Sequence, residues 1–293
     1  MKFVLAIVAI IAVAGFAFRD SIQDALFKDS KIEKAEYGKK KGKKDKSEAN
    51  VQSDVRVVKK WELPEVLMEI SGLAFLDKDR FVCVQDEKGS LFIYNTVTEK
   101  IEKEIPFGAP GDYEGVTLSG NTAYVVRSDG RLFEITGFAS QPSLQEYSTP
   151  LTADDNIEGL CYDAGSNRLL LAAKDGKGTG GKKNVYEFSL ASKKLADEPL
   201  YSIEPSHELV DNQEKKKFSP SAIAIHPSGK ELYIVDGPKG RLLIMDRSGG
   251  MKKVYQLGSE FAQPEGITFT PEGELYISSE GKKSPGMILK VQL

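Results

Sequence analysis

Three glutamates recur in one local setting: Glu114 in Tyr113-Glu-Gly-Val, Glu158 in Ile157-Glu-Gly-Leu and Glu265 in Pro264-Glu-Gly-Ile. Two serines hold the same place, Ser71 in Ile70-Ser-Gly-Leu and Ser221 in Pro220-Ser-Ala-Ile. Carboxylates brought together without basic partners repel one another, and a hard cation relieves that repulsion. Oxygen-only donors suit Ca2+ better than zinc. Asp112 and Asn156, two residues ahead of Glu114 and Glu158, could add oxygens from the rim. The competing reading has the three glutamates accept hydrogen bonds from backbone N–H groups of adjacent strands around water. Both readings stand at the level of sequence.

A second acidic set, Asp86, Asp129, Asp175, Asp236 and Glu280, follows predicted strands. Asp-Gly and Glu-Gly steps are turn chemistry, so most of these belong to hairpins. Asp86, Asp236 and Glu280 are the candidates for a ligand-facing rim. The chain has no G-x-S-x-G elbow, H-E-x-x-H helix or P-loop, so the residues assign no catalytic group and leave enzymatic activity open. His207 and His226 fall in a predicted insertion and a turn.

These residues must be positioned by a repeat. Measured from Ser71, Glu114, Glu158, Ser221 and Glu265, the spacings are 43, 44, 63 and 44 residues. A period near 44 is that of a four-stranded propeller blade. The long interval places about 19 extra residues in the turn Gly176–Lys183 and the stretch Glu204–Lys217. Each repeat continues with a turn, a β-branched or aromatic run such as Glu231-Leu-Tyr-Ile-Val-Asp236, a second turn and a third strand. A more charged fourth strand closes four of the five units and suits an outer edge. The fifth unit stops after three strands, and residues 55–63 can supply its missing outer strand. The spacing therefore predicts an all-β, five-bladed β-propeller over 55–293, closed by an N-terminal outer strand. In each first strand, large residues alternate with Gly or Ala, so a large side of one blade meets a small side of the next. Cys83 and Cys161 fall in different repeats and are not expected to pair.

Residues 1–18 begin with one Lys and run apolar to Phe18, the layout of a signal peptide or signal-anchor helix. Ala12-Val-Ala14 is a plausible cleavage site, yet the apolar run continues past it. Cleavage and retention as an anchor both remain open. Residues 19–54 form a lysine-rich linker, with six lysines between Lys39 and Lys46, read as a solvated spacer or an anionic-surface contact. Export across the inner membrane is expected, with the chain membrane-anchored, periplasmic or secreted. Two cysteines and two histidines exclude a disulfide scaffold and a His-rich metal centre. A net charge of -3 gives no general pull toward nucleic acid.

The ordered set Glu69-x-Ser-Gly-Leu-Ala-Phe75, Asp112-Tyr-Glu-Gly-Val116, Asn156-Ile-Glu-Gly-Leu-Cys-Tyr-Asp163, Ser219-Pro-Ser-Ala-Ile223, Gln263-Pro-Glu-Gly-Ile267 and Leu275-Tyr-Ile-Ser-Ser-Glu-Gly281 resembles the SdiA-regulated, YjiK-like family over roughly 61–293. That resemblance implies an exported or inner-membrane-anchored propeller, linked with calcium homeostasis and described as phytase-like. The chain departs from the pattern at Ser221-Ala222, where Ser-Gly is usual, and at Arg127-Ser128, where a Glu is commoner. Two functions follow as expectations. One is a Ca2+-binding scaffold or calcium-homeostasis module that meets an unidentified ligand or envelope protein at the channel mouth. The other is a Ca2+-dependent phosphoesterase or lactonase.

Overall fold

The computed structural model describes residues 55–176, 179–204 and 218–293. The expected signal segment, the linker and most of the expected insertion lie outside the described residues. Among the described residues, the strands fall into five antiparallel sheets, the blades of a propeller. Blade one runs Ile70–Asp77, Arg80–Gln85, Ser90–Asn95 and Lys100–Pro106 from axis to rim. Blade two runs Tyr113–Ser119, Thr122–Arg127, Leu132–Thr136 and Ser143–Tyr147. Blade three runs Ile157–Asp163, Arg168–Ala173 and Lys183–Ser189, with its outer position shared by Lys194–Leu195 and Tyr201–Ile203. Blade four runs Pro220–Ile225, Glu231–Asp236, Arg241–Asp246 and Met251–Gln256.

Blade five is built from both ends of the ring. Pro264–Phe269, Leu275–Ser279 and Met287–Gln292 pair in order, and Arg56–Glu62 adds the outer strand. Its register runs from Arg56 opposite Gln292 to Glu62 opposite Met287. The expected closure is thus the observed one. The split outer strand of blade three departs from the regular pattern. There, a turn at 190–193 leads into Lys194–Leu195, and residues 196–200 then interrupt the pairing with Lys183–Ser189 before Tyr201–Ile203 resumes it.

Burial explains the strand chemistry. Second strands such as Arg80–Gln85, Arg168–Ala173 and Glu231–Asp236 are buried on both faces, because each is covered by a blade on either side. Outer strands alternate, as in Lys100–Pro106, where charged residues face water. The core lies between blades rather than within them. One apolar cluster joins Val82, Val84 and Leu91 of blade one to Val116, Val125 and Phe133 of blade two. Others join blades two and three, three and four, and four and five. The last joins Trp61 and Tyr276 of blade five to Phe81 and Phe92 of blade one. Cys83 and Cys161 are free, buried members of these clusters.

Glycines set the spacing near the axis. A Cβ on Gly115 would stand 2.8 Å from Leu160 Cβ, and one on Gly266 would stand 3.0 Å from Leu73 Cβ. The expected meeting of small and large sides is therefore seen where blade two meets blade three and where blade five meets blade one. Leu73, Val116, Leu160, Ile223 and Ile267 then close around the axis as a buried apolar collar. Beyond the collar, on the face away from the inner-strand starts, Phe75, Leu118, Tyr162, Ile225 and Phe269 line a wider space of about 430 Å³. Strand direction puts Arg56 and Gln292 on this second face.

Candidate functional site: an acidic mouth over a closed axis

Each inner strand begins at the same face, and each bulges at its recurrent polar residue. The pairing skips one residue between Ile70 and Gly72, Tyr113 and Gly115, Ile157 and Gly159, Pro220 and Ala222, and Pro264 and Gly266. The skipped residues are Ser71, Glu114, Glu158, Ser221 and Glu265. A bulge leaves its extra residue out of the ladder and re-aims the side chain. Strict alternation does not predict this. The sequence signal is the Gly or Ala that directly follows each polar residue.

The bulges bring Glu114, Glu158 and Glu265 to one mouth of the ring, above the apolar collar. The throat between carboxylates and collar holds about 10 Å³, room for no more than one water. The two serines serve differently. Ser71 Oγ donates to the Tyr113 carbonyl at 2.6 Å, and Ser221 Oγ donates to the Pro264 carbonyl at 2.8 Å. Each hydroxyl thus ties its blade to the residue just before the next blade's glutamate.

Around this ring stands a wider one. Glu69, Asp112, Asn156, Ser219 and Gln263 lie two residues ahead of the bulged positions. Asp86, Ser128, Lys174, Gly237 and Glu280 directly follow the second-strand residues that pair with the residue before each bulge. Gln263 Nε2 donates to Glu280, and Asn156 Nδ2 donates to Glu158 Oε1 at 3.1 Å. One oxygen of Asp86, Oδ1, is buried without a hydrogen-bond partner. Asp236 stands apart from the rim. It is 0% exposed, accepts from Ser219 N–H at 3.3 Å and is paired with Arg241. Its register is that of Gln85 and Arg127, one place short of the rim, so it lies below the mouth and braces blade four through Arg241.

Lys174 is the basic group of this mouth. Its Nζ lies 2.8 Å from Glu158 Oε1, so the carboxylates do not converge without a basic partner. Glu69 and Gln263 open two of the sequence motifs without having been assigned to the mouth, and this ion pair is the part that the motif pattern missed. Arg127 turns to Asp129 instead.

The electrostatics follow from crowding and burial. Glu114 is pushed up to about 9 by burial, then by the charges of Glu158, Asp112 and Glu265. Glu265 is pushed up to about 8 by burial and by Glu158, with Lys174 and Gln263 opposing. Burial also raises Glu158, against the pull of Lys174. At the outer ring, burial lifts Asp86 to about 6, helped by Glu69, Glu87, Glu280 and Asp112. Uncountered, the mouth holds protons that a bound cation would displace. These oxygens fit Ca2+ in kind but not in spacing: among the described residues, no three acidic, histidine or cysteine side chains stand close enough to hold a metal.

A search of curated proteins finds no match. Among solved structures, glutaminyl cyclase from Myxococcus xanthus superposes with a TM-score of 0.58 at 14% identity, covering 81% of this chain and 95% of that one. A luciferin-regenerating enzyme gives 0.50 at 11% identity, covering 82% and 95%. Virginiamycin B lyase from Staphylococcus aureus gives 0.46 at 15% identity, covering 76% and 67%. At such identities the first two likenesses speak for the fold alone. The family model described as SdiA-regulated matches residues 47–284. With its five blades and its ordered inner-strand motifs, this chain belongs to the SdiA-regulated family.

Proposed function

We propose that this is an exported, membrane-associated propeller whose acidic mouth is a binding face for a cation, with Ca2+ as that cation. In this role it acts as a scaffold or calcium-homeostasis module and meets a ligand or envelope protein at the mouth. One observation carries the reading: carboxylates from four blades face one closed cup, with the ammonium of Lys174 set against Glu158. They are Glu69 and Asp86, Asp112 and Glu114, Glu158, and Glu265 and Glu280. Oδ1 of Asp86 is buried there without a hydrogen-bond partner. The apolar run of residues 1–18 supports export. Glu114, Glu158 and Glu265 would hold the ion, with Asp112 and Asn156 adding oxygens, after side-chain movement. A divalent ion there would displace the protons that burial otherwise keeps on these groups.

The test is a thermal melt of the full chain in Ca2+ and in EDTA. Ca2+ should raise the melting temperature, as any ligand selective for the folded state does. Glu265→Gln should shrink the shift. Identical curves for the unmutated chain in both conditions would sink the Ca2+ reading.

The second reading is a Ca2+-dependent phosphoesterase or lactonase. Raised Glu114 and Glu265 favour it, since both would hold a proton at neutral pH for a leaving group. Turnover of a phytate, phosphoester and lactone panel separates the two.

A further inference from the structure

We infer that Lys174 is a tethered counter-ion that occupies the cation position beside Glu158 and limits what the mouth can take up. The inference rests on the cation-binding reading.

The register gives Lys174 four counterparts, Asp86, Ser128, Gly237 and Glu280. Two of these are acidic and none is basic, so the ring carries an ammonium at one of five equivalent places. Its backbone is held on both sides. Lys174 N–H donates to the Asn156 carbonyl at 2.8 Å, and Lys183 Nζ donates to the Lys174 carbonyl. Lys183 is itself buried and is drawn to Asp175 at 3.6 Å. The stem of Lys174 is therefore fixed, and its head is delivered to Glu158 Oε1 at 2.8 Å. Glu158 is 5% exposed, and the same oxygen accepts from Asn156.

An ammonium is a compact point charge that can stand in for a metal ion among carboxylates. A divalent ion approaching Glu158 must first displace Lys174 and then bear repulsion from its displaced charge. The mouth is thereby divided. The blade-three side is already neutralised, while on the side formed by blades five, one and two Glu69, Asp86, Asp112 and Glu280 have no basic partner among the described residues.

Titration calorimetry with CaCl2 on the full chain tests this, using the unmutated protein, Lys174→Met, Lys174→Arg and Lys174→Met/Glu158→Gln. Lys174→Met should bind Ca2+ at least tenfold more tightly than the unmutated chain. Lys174→Arg keeps the charge and should show no gain. The double variant should lose what the methionine gained. Equal affinity of Lys174→Met and the unmutated chain would overturn the inference, and so would an equal gain in Lys174→Arg. Should Ca2+ bind Lys174→Met and not the unmutated chain, this inference holds while Ca2+ binding by the native mouth fails. Binding by neither overturns both. Should Lys174→Met unfold in EDTA, recovery of its melting transition on adding Ca2+ supports the inference, and no recovery overturns it.

Discussion

Glu265 and Glu114 are acids that the folded ring keeps protonated and the unfolded chain releases. Their folded values lie near 8 and 9, against an ordinary 4.5. Between about pH 4.5 and 8 the folded state therefore binds more protons than the unfolded state. Stability contributed by the neutral form is complete below 4.5 and is lost as pH rises toward 8 to 9. The slope is at most ~1.4 kcal/mol per pH unit for each such group. Glu265→Gln, neutral at every pH, should flatten this fall and melt higher than the unmutated chain at pH 8.5 without metal. A parallel pH profile would show that Glu265 ionises freely. Sequence made the three glutamates legible, because identical neighbours repeat around them. It did not reveal Lys174 as the partner of Glu158, since that contact depends on where blade three ends its second strand. Nor did it separate Asp236 from Asp86 and Glu280. A one-residue difference in register sends Asp236 to Arg241 and away from the mouth.

At the level of the strand, the bulge and the small residue after it act together. Gly115 lets blade two approach Leu160 so closely that a methyl group has no room. Overpacking of this kind costs about 1–3 kcal/mol. Gly115→Ala should lower the melting temperature by several degrees, while Gly165→Ala should leave it nearly unchanged, since only Asp163 Oδ1 lies within 4 Å of that Cβ, at 3.7 Å. Equal melting temperatures for the two variants would contradict the tight approach of the inner strands. The alternation of large and small residues was readable because a pleated strand has period two. The bulges were not readable from that alternation, because a skipped pair leaves the strand's apolar pattern intact; only the small residue after each polar one marks their place.

The whole ring depends on one seam. Residues 55–63 contribute Val55 to the apolar layer between blades four and five, and Trp61 and Leu63 to the layer between blades five and one. Trp61 Nε1 also donates to the Thr96 carbonyl at 2.9 Å, which binds the closing strand to blade one. Truncating a buried Trp alone typically costs about 3–5 kcal/mol, and a domain has about 5–15 kcal/mol in total. A chain lacking residues 55–63 should show no cooperative melting transition by circular dichroism. Retention of the parental transition would refute closure by this strand. The five units and their seam were legible in sequence because five motifs recur and the last unit runs out of residues before its fourth strand. The seam also has a mechanical consequence. Arg56 and Gln292 are paired neighbours, so the two ends of the ring leave side by side from the face opposite the acids. A load drawn between them would fall first on that one pair and then on the next, peeling the strand like a zip. The join that closes the ring against heat is therefore its weakest point under tension.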